Sequence, residues 1–172
     1  MPLIAESLIR DVKDFPKEGI VFKDITPVLS DPAAFSEVVR LMTDYAQEVD
    51  ADAIAGIESR GFIFGAPIAV ALSKPFIPIR KLGKLPAETI RVEYDLEYGS
   101  NTVEMHKDAL LPGQRVLVVD DLLATGGTAA AAAELIERGG GEVAGFVFMV
   151  ELAFLEGREA LAPHDALSLL TY

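Results

Sequence analysis

The chain has 172 residues, of which 51% are apolar and 24% are charged, and its formal net charge at pH 7 is −12. It contains no cysteine, which excludes disulfides, thiol nucleophiles and cysteine-bound zinc. The acidic excess argues against nucleic acid as a partner, because that binding depends on lysine and arginine meeting phosphates.

The length is typical of one domain, and we therefore expect a single domain over residues 1–172. No stretch of about 18 apolar residues is present, so we expect no membrane-spanning helix and no membrane partner. The first residues include Glu6 and no basic leader, which disfavours a signal peptide. These features together favour a cytoplasmic location.

The N-terminal quarter contains two helical patterns. Apolar residues at near-helical spacing predict a short amphipathic helix over 2–12. Pro27 and Pro32 predict the ends of a loop. Asp31 followed by Pro32 then predicts the start of a longer helix, because aspartate is a favoured N-cap and proline is tolerated at the first helical position.

Residues 53–80 predict a β-α-β unit. Ala53–Ile57 and Phe76–Arg80 have the composition of buried strands, and Phe62–Leu72 is an apolar helix that follows the turn Glu58–Gly61. This order predicts a parallel sheet with right-handed crossovers. The expected fold class is α/β, with a parallel-sheet core and helices on both faces.

Residues 81–106 interrupt this alternation. Thr89–Tyr94 and Thr102–His106 predict two exposed strands around a polar connection. A long excursion inside a compact α/β unit is usually functional, and we interpret this one as a flexible lid.

The most informative stretch begins with Val116–Val119, which predicts a buried strand. Asp120 and Asp121 follow, and a loop with two glycines then leads into a helix that begins with Ala129–Ala133. Unpaired amides and the dipole at a helix N-terminus favour an anion there. Two carboxylates can accept from sugar hydroxyls or bind hydrated Mg²⁺. The alternative is a tight turn with two solvated aspartates.

The same stretch excludes two common nucleotide-binding motifs. No lysine follows the glycines, as a Walker loop requires, and the G-x-G-x-x-G pattern of dinucleotide-binding folds is absent. The helix is expected to end near Gly139–Gly141, and Val143–Leu152 and Ala166–Tyr172 predict two further strands.

Polar residues also follow the two strands of the β-α-β unit. Glu58–Gly61 follow the first, and three cations, Arg80, Lys81 and Lys84, follow the second. Because ligands in open α/β sheets bind at the carboxyl ends of strands, we expect these residues to share one cleft with the aspartates. A diphosphate suits the planar fork of an arginine. The alternatives are a surface arginine in a loop and a solvated basic turn.

The stretch VVDDLLATGGT, Val118 to Thr128, resembles the phosphoribosyl pyrophosphate motif of the type I phosphoribosyltransferases. The segments IRKLGKLP and YDLEYG resemble the adenine-specific branch of that family, and further segments match in order from Asp14 to Tyr172. The resemblance implies that adenine and 5-phosphoribosyl 1-pyrophosphate are converted to AMP and pyrophosphate in purine salvage. It also implies a homodimer and Mg²⁺ as cofactor, held mainly through the substrate, with Asp120 and Asp121 as candidate ligands.

The resemblance assigns two anion sites. The phosphoribosyl group is expected to bind Asp120, Asp121, Ala124, Thr125, Gly126, Gly127 and Thr128. Pyrophosphate is expected to bind Glu58, Ser59, Arg60, Arg80, Lys81 and Lys84, in a loop with a cis peptide bond between Glu58 and Ser59.

The resemblance also assigns the base site and the proton transfer. Adenine is expected to bind Val21, Phe22, Lys23 and Leu122. Glu97 corresponds to the acid–base residue at the purine, and Tyr98 to a residue that closes over the site. Glu104, in the outgoing strand, is the alternative acid, since a lid carboxylate of either position can serve a purine nitrogen.

Two other functions remain open at this point. One is transfer to another base, such as xanthine or hypoxanthine. The other is a non-catalytic purine-sensing regulator, although such a protein would normally carry a basic DNA-binding segment. His106 and His164 are too few and too far apart in the sequence for a metal site or a catalytic dyad.

Overall fold

The computed structural model describes residues 2–96 and 98–172. By its internal contacts the chain divides into two compact units, Met1–Leu41 and Met42–Tyr172, and the division falls within a helix. The single phosphoribosyltransferase domain therefore stays a prediction. No helix among the described residues is long and apolar enough to cross a membrane.

The first unit combines two short strands with helical segments. Its elements are a 3₁₀ turn (Ile4–Ser7), strands β1 (Arg10–Lys13) and β2 (Val21–Asp24), helix α1 (Thr26–Ser30) and the beginning of helix α2 (Pro32–Glu48). The predicted loop between the two prolines is thus wrong, because Thr26–Ser30 is helical. Pro27 fits there since a residue in the first helical turn needs no intrahelical amide bond.

The helix predicted over 2–12 is also wrong. This stretch contains the 3₁₀ turn and then β1, which pairs antiparallel with β2. The ion pair between Arg10 and Asp24 (2.5 Å) joins two residues that are opposite each other in that register. A short helix is marginal by itself, and the pairing satisfies the backbone groups instead. The predicted start of α2 is confirmed, because Asp31 Oδ1 accepts the Ala34 amide at 2.9 Å.

The second unit contains a seven-stranded sheet. Its elements are β3 (Ala53–Ile57), α3 (Arg60–Leu72), β4 (Phe76–Lys81), β5 (Thr89–Asp95), β6 (Ser100–His106), β7 (Arg115–Leu123), α4 (Gly127–Arg138), β8 (Glu142–Glu151), 3₁₀ turns at Ala153–Leu155 and Gly157–Leu161, and β9 (Ala166–Thr171). The strand order is β5-β6-β4-β3-β7-β8-β9. The five strands β4, β3, β7, β8 and β9 are parallel to one another, and β6 is antiparallel to both of its neighbours, β4 and β5. The predicted α/β class is confirmed.

Helices α3 and α4 cover opposite faces of the sheet. Successive side chains of a strand point to opposite faces. Ala53, Ala55 and Ile57 belong to the core cluster that includes buried residues of α4. Gly56 faces the other way, where a Cβ would lie 2.8 Å from the ring of Phe76. A side chain at position 56 would collide with this ring, so glycine fits on the face of β3 that α3 covers.

The predicted strands of the 81–106 excursion are confirmed, but their predicted exposure is wrong. Val92, Val103 and Met105 are buried in the cluster that includes α4. Strand β6 also joins the sheet through the Arg80–Glu104 pairing with β4. One face of the excursion therefore belongs to the core. Its role as a flexible lid stays a prediction.

Strand β7 is longer than predicted. It continues through both aspartates to Leu123, which is paired with Glu151 at the end of β8. Asp120 and Asp121 are therefore residues of the strand itself rather than of the turn after it. Asp121 is buried and Asp120 is half-buried.

Candidate functional site

The carboxyl ends of β3, β4 and β7 surround a cavity of about 310 Å³. Most of its polar lining comes from residues that the sequence analysis singled out: Glu58, Ser59, Arg60, Arg80, Lys81, Asp120, Asp121 and Thr128. The prediction that these strand-end residues share one cleft is therefore confirmed for this set. Lys84 does not line the cavity in the described part of the chain, and its carbonyl accepts from Arg80 Nη1 at 3.4 Å.

Arg60 and the two aspartates form one electrostatic group. Arg60 Nε donates to Asp121 Oδ2 at 2.5 Å, and the Asp121 amide donates to Asp120 Oδ1 at 2.9 Å. Burial and then the charge of Asp121 raise the pKa of Asp120 well above its usual value. Burial opposes the charge of Arg60, but Asp121 outweighs it and raises the pKa of the guanidinium.

Glu58 is held by the next strand rather than left free in the cavity. Its carboxylate accepts from Nε and Nη2 of Arg80, each at 3.2 Å, and from the Lys81 amide at 2.9 Å. Burial raises the pKa of Glu58, but these hydrogen bonds outweigh burial and lower it overall. The peptide bond between Glu58 and Ser59 is cis, as the family resemblance implies.

The loop Ala124–Thr128 lines a second, smaller cavity of about 100 Å³. Helix α4 starts at Gly127, so the first amides of the helix belong to this loop. Gly126 has a φ of 86°, a conformation that favours glycine. Asp120 and Thr128 line both cavities, which therefore adjoin. The arrangement can hold an anion beside the carboxylates.

Tyr94 is a site residue that the sequence analysis missed. Its hydroxyl lies 2.8 Å from Thr128 Oγ1, and a Cβ placed on Gly127 would lie 3.5 Å from its ring. Tyr94 also lines the larger cavity, as does Asn101. A signal was available for the tyrosine, because Val92 and Tyr94 alternate with charged residues in β5. Nothing in the sequence distinguishes Asn101.

The two candidate acids of the excursion differ in what can be described. Glu97 lies outside the described residues. Glu104 is 3% exposed and accepts from the Gly83 amide and Thr89 Oγ1, both at 3.0 Å. Glu104 is therefore already engaged by its own strand neighbours. Tyr98 is 82% exposed.

The expected adenine-binding residues lie in both units. Val21, Phe22 and Lys23 belong to β2 of the first unit, where Phe22 packs edge-on against Phe15 with ring centroids 5.2 Å apart. Lys23 Nζ donates to Asp11 at 2.7 Å. Leu122 lies in β7 of the second unit and lines the smaller cavity. Their role at the base stays a prediction.

Comparison with known proteins identifies the family. Residues 25–167 match the model of the phosphoribosyl transferase domain. The adenine phosphoribosyltransferase of Halothermothrix orenii is 56% identical over 165 residues, which cover 96% of this chain and 97% of the relative.

Solved structures agree. The enzyme from Thermoanaerobacter pseudethanolicus superimposes with a TM-score of 0.94 at 52% identity, covering 98% of both chains. That from Saccharomyces cerevisiae, complexed with an imino-altritol bisphosphate and adenine, has a TM-score of 0.92 at 39% identity and covers 96% of both chains. The chain belongs to the type I phosphoribosyltransferase family and, within it, to the adenine phosphoribosyltransferases, pentosyltransferases that make AMP and pyrophosphate from adenine and 5-phosphoribosyl 1-pyrophosphate.

Proposed function

We propose that this chain carries out the family reaction in the two adjoining cavities, with a separate set of residues for each part of the phosphoribosyl donor. The observation that carries the proposal is the shared lining of the cavities by Asp120 and Thr128. It puts an anion-binding loop on one side of the aspartates and a group of cations on the other. A sugar with a phosphate at one end and a diphosphate at the other has this charge distribution.

The phosphate of the ribose is assigned to Ala124, Thr125, Gly126, Gly127 and Thr128. The amides at the start of α4 have no intrahelical acceptor, and the helix dipole favours negative charge there. The threonine hydroxyls add donors. This local field is needed because the chain as a whole carries a net charge of −12, which repels anions at long range.

The leaving pyrophosphate is assigned to Ser59, Arg60, Arg80, Lys81 and Lys84, with Glu58 contributing its backbone. The Glu58 carboxylate already accepts from Arg80 and Lys81, so its charge is compensated. Arg60 is half-exposed and lies in the cavity, and it can exchange the Asp121 carboxylate for a diphosphate oxygen.

Asp120 and Asp121 are assigned to the ribose hydroxyls. Phosphoribosyltransferases of this family generally use Mg²⁺ with the donor. Among the described residues, no group of three or more His, Asp or Glu is arranged to hold a metal, and the two aspartates line the cavity with Glu58, whose carboxylate is already bound by Arg80 and Lys81. This donor set fits an ion that takes most ligands from substrate and water. When bound, Mg²⁺ would neutralise charge on the diphosphate.

The base is assigned to Val21, Phe22 and Lys23 with Leu122, on the family resemblance. Attack by one purine nitrogen on the ribose carbon displaces pyrophosphate, and another purine nitrogen must exchange a proton. Glu97 is assigned to that proton, and Tyr98 to closing the site. The displacement has oxocarbenium-like character, so the protein contributes mainly by positioning the reactants and excluding water.

The test is pyrophosphate release with adenine, hypoxanthine, guanine and xanthine, each with the same donor and Mg²⁺. We expect adenine to give the largest kcat/KM. Faster turnover of a 6-oxopurine would overturn the choice of base. Absence of pyrophosphate release with every base, in a protein that still binds the donor, would favour a regulatory role.

We propose in addition that the protein is a cytoplasmic homodimer. The dimer is proposed on the family resemblance, and Val70 of α3, an apolar residue with 80% of its surface exposed, is the position that the test changes. Sedimentation equilibrium of the wild type and of Val70→Asp tests the oligomeric state. A monomeric wild type at micromolar concentration would contradict the dimer.

A further inference from the structure

The loop Ala124–Thr128, the phosphate loop, packs against a second segment of backbone to which no role has been assigned. This floor segment is the 3₁₀ turn Gly157–Leu161. A Cβ placed on Gly126 would collide with the carbonyl oxygen of Gly157 and lie 2.9 Å from the Cβ of Ala160. The two main chains are therefore in direct contact, and neither has room to approach further.

The contact is reciprocal. A Cβ placed on Gly157 would collide with the carbonyl oxygen of Ala124 and lie 3.0 Å from the side chain of Leu123. The φ of Gly157 is outside the left-handed region, so its backbone conformation alone does not require glycine. Close approach to the phosphate loop is the reason that a side chain does not fit here.

Arg158 anchors the floor segment one residue beyond this contact. Its Nε donates to both oxygens of Glu151, at 2.8 and 3.0 Å, and its Nη2 donates to Glu151 Oε2 at 2.7 Å. Nη1 donates to the carbonyl of Ala166 at 2.6 Å, and Nη2 also to Ser168 Oγ at 3.3 Å. All three nitrogens are engaged, which fixes the guanidinium to the last residue of β8 and to the first half of β9.

The carboxylate that binds Arg158 belongs to a residue that is paired, in the sheet, with the residue leading into the phosphate loop. Glu151 is 5% exposed and is paired with Leu123, the residue that leads into the phosphate loop. The hydrogen bonds of Arg158 lower the pKa of Glu151, so the pair stays charged at neutral pH. The strand pair β7–β8 thus supports the loop directly and, through Glu151 and Arg158, also holds the floor beneath it.

We propose that Arg158 is a positioning residue for the phosphoribosyl donor: through Gly157 it sets the position of the loop Ala124–Gly126 without touching the substrate. The proposal rests on the assignment of this loop to the ribose phosphate. Loss of the anchor is expected to weaken recognition of the phosphate while leaving the adenine site unchanged.

The first experiment compares Arg158→Gln with wild type and with a control, Arg115→Gln. Arg115 pairs with Glu142 at the opposite end of the same two strands, at 3.7 Å. We expect Arg158→Gln to raise KM for the donor about tenfold, less than the ~10²-fold that a misplacement of 1 Å can cost. KM for adenine should stay within about twofold, and Arg158→Lys should fall between, since one ammonium cannot replace a planar fork.

A second variant keeps the ion pair and moves only the floor. Gly157→Ala should give the same selective rise in donor KM, because its Cβ must displace the Ala124 carbonyl. Gly113→Ala is the control: Gly113 has a φ of 76° with no atom near its Cβ, so it tests backbone strain away from the site. Thermal melting of every variant reports the folded fraction. If Arg158→Gln does not fold, the donor KM of Gly157→Ala tests the proposal.

Calorimetric binding of AMP and of adenine provides a readout independent of turnover. Weaker AMP binding with unchanged adenine binding supports the positioning role. The role is overturned if both variants keep wild-type donor KM and AMP affinity, or if binding of both ligands falls together with stability. A wild type that makes no AMP counts against the proposed function, and a wild type that does not bind AMP overturns both proposals.

Discussion

Two arginine–carboxylate pairs lie at the carboxyl end of the sheet, and they differ in what surrounds them. Side-chain exposure is similar: 53% and 8% for Arg60 and Asp121, against 48% and 7% for Arg158 and Glu151. Side-chain exposure therefore does not distinguish the two pairs. Their hydrogen bonds differ: within the described residues Arg60 donates to Asp121 through Nε alone, whereas Arg158 donates to Glu151 through Nε and Nη2 and to the Ala166 carbonyl through Nη1.

The surroundings do separate them. Arg60 and Asp121 line the cavity beside Asp120, a second carboxyl group whose pKa is raised by burial and by the charge of Asp121. Unused N–H groups let an arginine accept a new anionic partner at little cost. Arg158 has no such freedom, because its three nitrogens already donate to Glu151, Ala166 and Ser168. We infer that the first pair is exchanged during the reaction and that the second belongs to the frame.

The largest expected effect comes from the cavity pair. Asp121→Asn should lower kcat/KM for the donor by roughly 10²-fold, about 2.7 kcal/mol of transition-state stabilisation. The amide has the same volume, and half-exposed Arg60 can be hydrated, so the melting temperature should stay close to wild type. Unchanged kinetics would remove the assigned role of this aspartate and break the comparison.

For the pair formed by Arg158 and Glu151, we expect the larger effect on stability. Glu151→Gln should lower the free energy of unfolding by about 1–3 kcal/mol, because a buried hydrogen-bonded charge is lost and the new amide group faces Arg158. Denaturant titration measures this. A smaller loss of stability than in Asp121→Asn would show that the two pairs do not differ in the way proposed.

A third buried carboxylate extends the comparison to the excursion. Glu104 accepts two hydrogen bonds and lies 3.6 Å from Arg91 Nη2. Glu104→Gln should cost about 1 kcal/mol of stability, the usual contribution of a hydrogen bond, and leave kcat nearly unchanged. Glu97→Gln should lower kcat more than Glu104→Gln does. The reverse ranking would transfer the acid–base role to Glu104.

A smaller effect is expected at Tyr94, which connects the excursion with the phosphate loop. Tyr94→Phe removes the hydrogen bond to Thr128, worth about 1 kcal/mol, and should raise KM for the donor about fivefold. Tyr45→Phe is the control, because the Tyr45 hydroxyl has no hydrogen-bond partner among the described residues. Equal effects of the two variants on donor KM would contradict a specific role for the Thr128 contact.

The smallest effect is expected in the first unit, far along the chain from the cavity residues. Hydrogen bonds from the amide and hydroxyl of Thr26, and then from Arg10, lower the pKa of Asp24 to about 2. A lowered pKa means that Asp24 stabilises the fold above its unfolded value of about 3.9 and that this is lost as the pH falls towards 2. Asp24→Asn should therefore reduce stability at pH 7, with a difference from wild type that disappears near pH 2. A difference that persists there would contradict this origin.

Local chemistry in the sequence was enough for much of the architecture. The run Ala53–Ile57, the cap at Asp31 and the helix after Gly126–Gly127 depend on residues within a few positions of one another. The rule that ligands bind at the carboxyl ends of strands predicts that the residues around Arg60 and Asp121 share one cleft, and the cavity confirms it. The family motif added the cis bond at Glu58–Ser59, which no local pattern indicates.

Tertiary structure decided the features that depend on a partner distant in the sequence. Residues 10–13 are a strand because β2 pairs with them, and β5 has a buried face because α4 covers it. At the end of β7 the two adjacent aspartates acquire different partners: Asp121 accepts from Arg60, and burial together with the charge of Asp121 raises the pKa of Asp120. The sequence by itself determined which chemical groups are present and at which strand ends. Only the packed sheet decided which of their charges are held in place and which are left to meet a substrate, because that depends on the number of acceptors that folding brings within reach.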